Sequence, residues 1–403
     1  MYTLVIYAYG VILKIGALFN TKAKKWVAGR TNFWKQLPDL TNENVIWFHC
    51  ASLGEYDQGK PIMEAWKKEH PTDFILITFF SPSGFEHVNQ NSVGDYTCYL
   101  PLDTKRNARR FIERTEPKKA FFIKYEIWVN HLRKAHQSGT EIYSISSVFR
   151  ADQRFFKWYG KSFKKALFCF QHFFVQNQES KRLLQTIGIE NSTISGDTRY
   201  DRVIQRAKNP ATNNIIANWT KEEKVFIMGS TWDIDEKMIL PYINDYKIKQ
   251  KVILAPHEVD DEHIKSIKEK IRVSYQSYST ILAGEELKET THVLILDCIG
   301  VLADAYQYGN IAYVGGAFGT GLHNILEPAS FGLPVIFGPL HHQFPEATYF
   351  IAEGIGISCT DKKAFIESYR TFQENSSIKD KVLQFMHGKS GATHIVLDSF
   401  TTD

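Results

Sequence analysis

The sequence predicts an α/β protein made of two doubly wound domains, and three observations carry that expectation. Short apolar runs alternate with amphipathic segments along most of the chain. The alternation breaks once, at the polar stretch 208–214 (KNPATNN), and then restarts. The chain's 403 residues also exceed the roughly 250–300 that one hydrophobic core usually holds.

In the first half, Val45–Cys50, Phe74–Phe80, Tyr96–Leu100, Lys119–Ile123, Glu141–Ser146 and Phe173–Val175 read as strands. Between them Lys60–Lys68, Lys105–Arg114 and Trp128–Gln137 read as helices. After the polar stretch Val225–Met228, Lys251–Leu254, His292–Leu296 and Asn310–Val314 continue the strand series, and Pro334–Phe337 is a further apolar run. This order favours mostly parallel sheets with helices on both faces.

The composition, 43% hydrophobic and 23% charged, is that of a folded protein. A formal charge of +4 is too small to argue for nucleic acid as a partner. The five cysteines are odd in number, widely spaced and free of CxxC patterns. They are expected to be reduced, buried thiols of a cytosolic protein, with no zinc site.

Residues 1–20 (MYTLVIYAYGVILKIGALFN) carry Lys14 as their one charge, and Lys22, Lys24, Lys25 and Arg30 follow. A signal peptide would place its positive charge first, and here the order is reversed. The segment is expected to be a membrane anchor, spanning or interfacial, with the basic residues on the cytoplasmic side. The competing reading is a helix buried in the first domain.

Ligands of open α/β sheets sit beyond the carboxyl ends of the strands, so the residues there carry the most weight. Ser52, Gly54 and Glu55 follow the first strand, and Ser81, Ser83 and Gly84 the second. Glu126 and Arg150 follow later strands. In the second half Ser230 and Thr231 end one strand, and Gly315, Gly316, Gly319 and Gly321 form a glycine-rich loop after another. Strand, glycine loop and helix in that order point backbone N–H groups at an anion, which suggests a phosphorylated ligand. With both halves so equipped, a cleft between the domains is the expected active site.

Each candidate has a plainer reading beside the functional one. Glu55 is either a helix-dipole carboxylate or a general base. Glu126 sits between Tyr125 and Ile127, where a solvated surface role explains it poorly. It would support Glu55, orient an acceptor hydroxyl or pair with Arg150. The Ser81–Gly84 turn needs nothing beyond turn chemistry. Asn324 and Glu327 have the spacing of an N-cap with its N3 carboxylate, which competes with a ribose contact for Glu327. Arg199 would supply a cation for a phosphate.

Taken together, HCASLGEYDQGKP, SPSGFE, LPLD, KYEIWVN, SVFRADQRFFKWY, GDTRYDRV, GSTWDIDE and VGGAFGTGLHNILEPASFGLPVIFGP resemble one family. It is the 3-deoxy-D-manno-octulosonic acid (Kdo) transferases of lipid A synthesis, and the motifs run in family order from about residue 45 to 345. The resemblance implies a GT-B fold of two Rossmann-like domains. Residues 1–20 would be the membrane-associated segment, 21–208 the acceptor-binding domain and 209–403 the CMP-Kdo-binding domain. The last helix is expected to pack back on the first domain. It implies inverting transfer of Kdo from CMP-Kdo to a lipid A precursor at the cytoplasmic face of the inner membrane, without cofactor or metal. Glu55 would then be the base and Glu126 the second acidic residue. Arg199, Ser230, Thr231, Gly315, Gly316, Gly319, Asn324 and Glu327 would line the donor. Ser52, Gly54, Ser81, Ser83, Gly84 and Arg150 would face the acceptor. Two departures stand out. His257 occupies a place where many members carry arginine, and Arg199 one where lysine is common. A GT-B nucleotide-sugar epimerase and an inactive GT-B binding protein are the alternatives.

Overall fold

The computed structural model describes residues 2–88, 92–221, 223–319 and 321–400. The chain divides into two compact units, one of Met1–Arg202 together with Lys389–Asp403, the other of Val203–Gly388.

The first unit holds a seven-stranded sheet: β1 (Val45–Cys50), β2 (Phe74–Phe79), β3 (Tyr96–Tyr99), β4 (Lys119–Ile123), β5 (Glu141–Ser147), β6 (His172–Val175) and β7 (Ser192–Ile194). Its order is β3-β2-β1-β4-β5-β6-β7, and all pairings are parallel. Every residue of β1 is buried. Val45 and Trp47 enter one core, Ile46, Phe48 and Cys50 the other, so the sheet is covered on both faces. The helix Lys105–Thr115 shows how a covering element is delimited. The Thr104 hydroxyl accepts from the Asn107 N–H at its start, and Glu116 ends it in the left-handed region at φ 35°.

The second unit repeats the plan with β8 (Val225–Thr231), β9 (Lys251–Pro256), β10 (Tyr275–Ser277), β11 (Val293–Ile295), β12 (Ile311–Val314), β13 (Val335–Phe337) and β14 (Gly356–Ser358). The order is β10-β11-β9-β8-β12-β13-β14, again parallel throughout. Both sheets are therefore doubly wound, and the order reverses between β1 and β4 in one and between β8 and β12 in the other. Ligand crevices of such sheets open beside these reversals.

The strands expected from sequence are present, and the structure adds β7, β10 and β14. Each has three residues and lies at a sheet edge. An edge strand half covered by neighbours needs no long apolar run, so periodicity had nothing to register. The helix expected at Lys60–Lys68 runs from Leu53 to Glu69, because its first turns carry the polar residues of a strand-end loop. From Lys389 onward the chain returns to the first unit. There Asp201 accepts from the Gly391 and Thr393 N–H groups, and Phe400 packs edge-on against Trp66 and Phe121.

Residues Tyr2–Gly16 form a helix, followed by a second at Thr21–Ala28. No single helix among the described residues is long and apolar enough to cross a membrane, and these two together pass that test only with a 118° bend between them. The first helix is docked by one side. Tyr2 donates to Asp103 Oδ2 at 2.6 Å, Tyr9 stacks on Phe80, and Gly10 lies so close to Leu102 that a Cβ would meet it at 2.7 Å. Leu4, Val11 and Ile15, at helical spacing, are all exposed, as is Leu18 just beyond the helix.

Candidate active site

The loop after β1 turns into the helix Leu53–Glu69 with Ser52 at its N-cap and Glu55 in its first turn. Glu55 is buried, and its Oε2 accepts from the Ala51 N–H at 2.5 Å, so the carboxylate caps the helix start. The loop after β2 is tied alongside: the Ser81 N–H donates to the Ala51 carbonyl at 2.8 Å. Gly84 permits this approach, because a Cβ there would lie 2.9 Å from the Leu53 nitrogen. The Ser81 and Ser83 hydroxyls share a 2.9 Å hydrogen bond, and Gly54 faces open space.

Glu126 follows β4, the strand beside β1 at the reversal, and this brings the two glutamates together. Burial pushes the Glu55 carboxyl up to about 7, against the Ala51 N–H and Lys124, which lower it. Burial also raises Glu126, to about 8, and the charge of Glu55 adds to that rise. Two carboxylates in one poorly solvated place cannot both ionise at ordinary acid pH, so the pair titrates as a unit in the neutral range. Lys124 is the nearby cation that lowers both. Its backbone is left-handed at φ 60°, and Ser146 at the end of β5 has φ 51°. Such strain in residues other than glycine clusters at functional sites. Sequence gave no sign of either.

Other residues of the first unit have structural tasks. His49 lies fully buried with its Nδ1 2.8 Å from the Thr78 hydroxyl, and burial pushes it down to about 3, so it stays neutral. Asp103 gathers the Asn130 and His131 N–H groups, the His131 ring at 2.6 Å and the Tyr2 hydroxyl. It thereby fastens the LPLD and KYEIWVN motifs to the first helix. Two expectations are corrected. Arg150 reaches Asp152 at 3.6 Å and lies over the Tyr125 ring, and it is not the partner of Glu126. Arg199 clamps the buried Asp197, whose other oxygen accepts from Gln58, and it lies in the first unit. Its fork is committed to a carboxylate there.

In the second unit the reversal lies between β8 and β12. Ser230 has φ 52°, and Thr231 donates to the buried Glu236, which also faces His263 at 3.0 Å. Asp235, one residue earlier, is the organiser. It accepts from the Tyr313 hydroxyl at 2.6 Å, the Trp232 N–H at 2.9 Å and the Gly316 N–H at 3.2 Å. The glycine loop is bonded to β8 and within itself. The Gly315 N–H donates to Gly229, the Gly319 and Gly321 N–H groups to Gly316, and the His323 N–H to Gly315. This corrects the expected anion cradle: at these residues the N–H groups hold the turn, and Thr320 of the loop lies outside the described residues. The glycines are needed for close approach, since a Cβ on Gly315 would lie 2.3 Å from the Ser230 carbonyl.

The helix after the loop runs Leu326–Ser330, with Ile325 at its N-cap. Asn324 therefore precedes the cap. It accepts from the Leu326 N–H and donates from Nδ2 to Glu327 Oε1, both at 3.0 Å. The expected capping box becomes a side-chain pair between Asn324 and Glu327. His257, in the place of the expected arginine, stacks with Trp232 and His323 at 4.7 and 4.3 Å between centroids. Trp232 Nε1 donates to His323 Nε2 at 3.0 Å, and burial pushes His323 down to about 4.

Residues 26–202 match the family described as 3-deoxy-D-manno-octulosonic-acid transferase (kdotransferase). A 3-deoxy-D-manno-octulosonic acid transferase of Chlamydophila psittaci is 26% identical over 384 residues, 88% of this chain and 84% of that protein. One from Aquifex aeolicus is also 26% identical, over 80% and 84%. Among solved structures, the UDP-GlcNAc 2-epimerase of Neisseria meningitidis bound to UDP-GlcNAc has a TM-score of 0.63 at 14% identity, over 89% of this chain and 99% of that one. The UDP-GlcNAc 2-epimerase of Methanocaldococcus jannaschii has a TM-score of 0.58, also at 14% identity, over 88% and 99%. At such identities these likenesses speak for the GT-B fold alone.

Proposed function

We propose, from the premise that this chain is a glycosyltransferase of the Kdo transferase family, that it moves Kdo from CMP-Kdo onto a lipid A precursor. The carrying observation is the pair of a buried Glu55 and a half-buried Glu126 at the strand-order reversal of the first sheet. A base that must take a proton from a sugar hydroxyl works best with a pKa near the working pH, and burial supplies that shift. One Glu55 oxygen is fixed by the Ala51 N–H, and the carboxylate would take the acceptor proton from there. Glu126 would hold the acceptor hydroxyl, and Lys124 would keep the pair from being fully protonated.

Attack of the hydroxyl on the anomeric carbon forms the new glycosidic bond as the bond to the CMP phosphate breaks. The proton passes to Glu55, and CMP leaves with the electron pair. A single displacement with one base inverts the anomeric centre. Ser230, Thr231, Asn324 and Glu327 are assigned to the donor, with Gly315, Gly316 and Gly319 shaping the loop beside it. The N-terminal helix, apolar on its outer side, is assigned to the cytoplasmic face of the inner membrane, lying on it rather than spanning it.

Purified protein is incubated with CMP-Kdo and a tetra-acylated lipid A precursor in a membrane mimic. The expected result is CMP release matched by a mass gain of Kdo on the lipid. Absence of both, with a folded protein, would remove this reading.

A further inference from the structure

In the first unit a groove of about 420 Å³ opens between the N-terminal helix and the segment that follows β5. Tyr2, Val5 and Ile6 line it from the helix, Tyr159 and Phe163 from the other segment, and Ile127 and Trp128 from the loop after β4. The helix and the segment touch directly through the Tyr2 and Phe163 rings, edge-on at 5.5 Å. Two charged residues take part, Glu126 and Arg154. The carboxylate assigned to the acceptor hydroxyl thus belongs to an otherwise apolar groove.

The surroundings say what would fill it. Val5, on the groove, continues into the exposed apolar side of the helix through Ile12, and Phe19 just beyond the helix is exposed as well. On the other segment Trp158 is 92% exposed and Tyr159 59%, with Arg150, Arg154, Lys157, Lys161, Lys164 and Lys165 around them and Asp152 the one acid between 150 and 165. Exposed tryptophan and tyrosine among lysines and arginines suit the boundary between acyl chains and anionic headgroups. The turn that presents them is fixed by Gly160, where a Cβ would collide with the Arg154 carbonyl. A free sugar or nucleotide gains nothing from apolar walls, whereas an aliphatic chain does.

We propose that this groove seats one acyl chain of the glycolipid acceptor, with a headgroup phosphate at Arg154 and the sugar at Glu126. The inference rests on the transfer reading for the identity of the lipid. The groove makes acylation, beyond the sugar alone, part of what the enzyme recognises.

Full-length wild type, Ser162→Trp and Val5→Trp are compared in detergent micelles with the tetra-acylated precursor and with its fully deacylated disaccharide bisphosphate. Ser162 lines the groove and both replaced side chains are exposed, so indole in the groove leaves the core intact. The expected result is a KM for the acylated acceptor raised about tenfold in both variants, with kcat and the KM for CMP-Kdo within about twofold of wild type. The deacylated acceptor should show no difference between variants. In parallel, a diazirine placed on an acyl chain of the same glycolipid should cross-link to residues 2–6 or 159–163, and Ser162→Trp should abolish the adduct. Unchanged KM values, or adducts elsewhere on the chain, overturn the groove. Adducts at the groove without CMP release from any acceptor leave the groove standing and overturn the transfer reading instead.

Discussion

The two strand-order reversals of this protein hold acidic residues of the same kind in opposite states. Beside β1 and β4, Glu55 and Glu126 share a poorly solvated place, where the Ala51 and Ser52 N–H groups, the Trp128 side chain and Lys124 are divided between two carboxyls that also face each other's charge. Beside β8 and β12, Asp235 is fully buried and receives a hydroxyl and two backbone N–H groups to itself. Burial alone does not make a carboxylate reactive. What decides is whether donors accompany it: a carboxylate given three donors becomes a fastener, and one given a like charge keeps its proton chemistry available.

The comparison is broken most strongly by replacing the proposed base. Glu55→Gln should lower kcat by about 10²–10⁴, the range for loss of general-base catalysis, with CMP-Kdo affinity and the far-ultraviolet spectrum retained. A wild-type rate of CMP release would show that the first reversal is as structural as the second. Removing the fastener should act on stability instead. Asp235→Ala leaves the Tyr313 hydroxyl and the Gly316 and Trp232 N–H groups without their acceptor, which should cost about 2–4 kcal/mol in a urea melt. Little change would mean that the glycine loop holds its shape by itself.

A smaller effect separates the two regions by pH. The Glu55–Glu126 pair has its pKa values raised above those of an unfolded chain, so its protonated form favours the fold. That contribution is whole below about pH 4.5 and is lost as pH rises to about 8. Glu126→Gln should therefore be more stable than wild type at pH 8, by on the order of 1–2 kcal/mol, and should lose the advantage at pH 4.5. An advantage independent of pH would point to packing. Least in size, Lys124→Met removes the cation that lowers both carboxyls. The acid limb of kcat/KM against pH should move upward by less than about one unit. A downward shift would put Lys124 in another role.

Much of the fold was legible because it is written in local patterns. Runs such as Val45–Cys50 and Lys119–Ile123 are apolar throughout, as strands buried on both faces must be, and periodicity finds them. The edge strands β7, β10 and β14 escaped because three residues carry no period. At the site, Glu55 and Glu126 were legible from their places at strand ends, whereas Lys124, Asp235 and the Trp232–His257–His323 stack were not. A left-handed lysine, an aspartate collecting donors from its own turn and from the end of β12, and rings stacked from separate loops have no signature in a linear string.

The sequence by itself determined which residues lie at the carboxyl ends of the strands, since alternation and turn chemistry are properties of neighbours along the chain. It also determined the family resemblance, through the order of its motifs. Only the tertiary structure decided what those residues do there. It spent the glycine-loop N–H groups on the loop, on β8 and on Asp235, bound Arg199 to Asp197, and left Glu55 beside Glu126 with too few donors for both charges. The physical reason is that hydrogen bonding and desolvation depend on what packs nearby in space, and that is set when β1 and β4, far apart in sequence, become neighbours in the sheet.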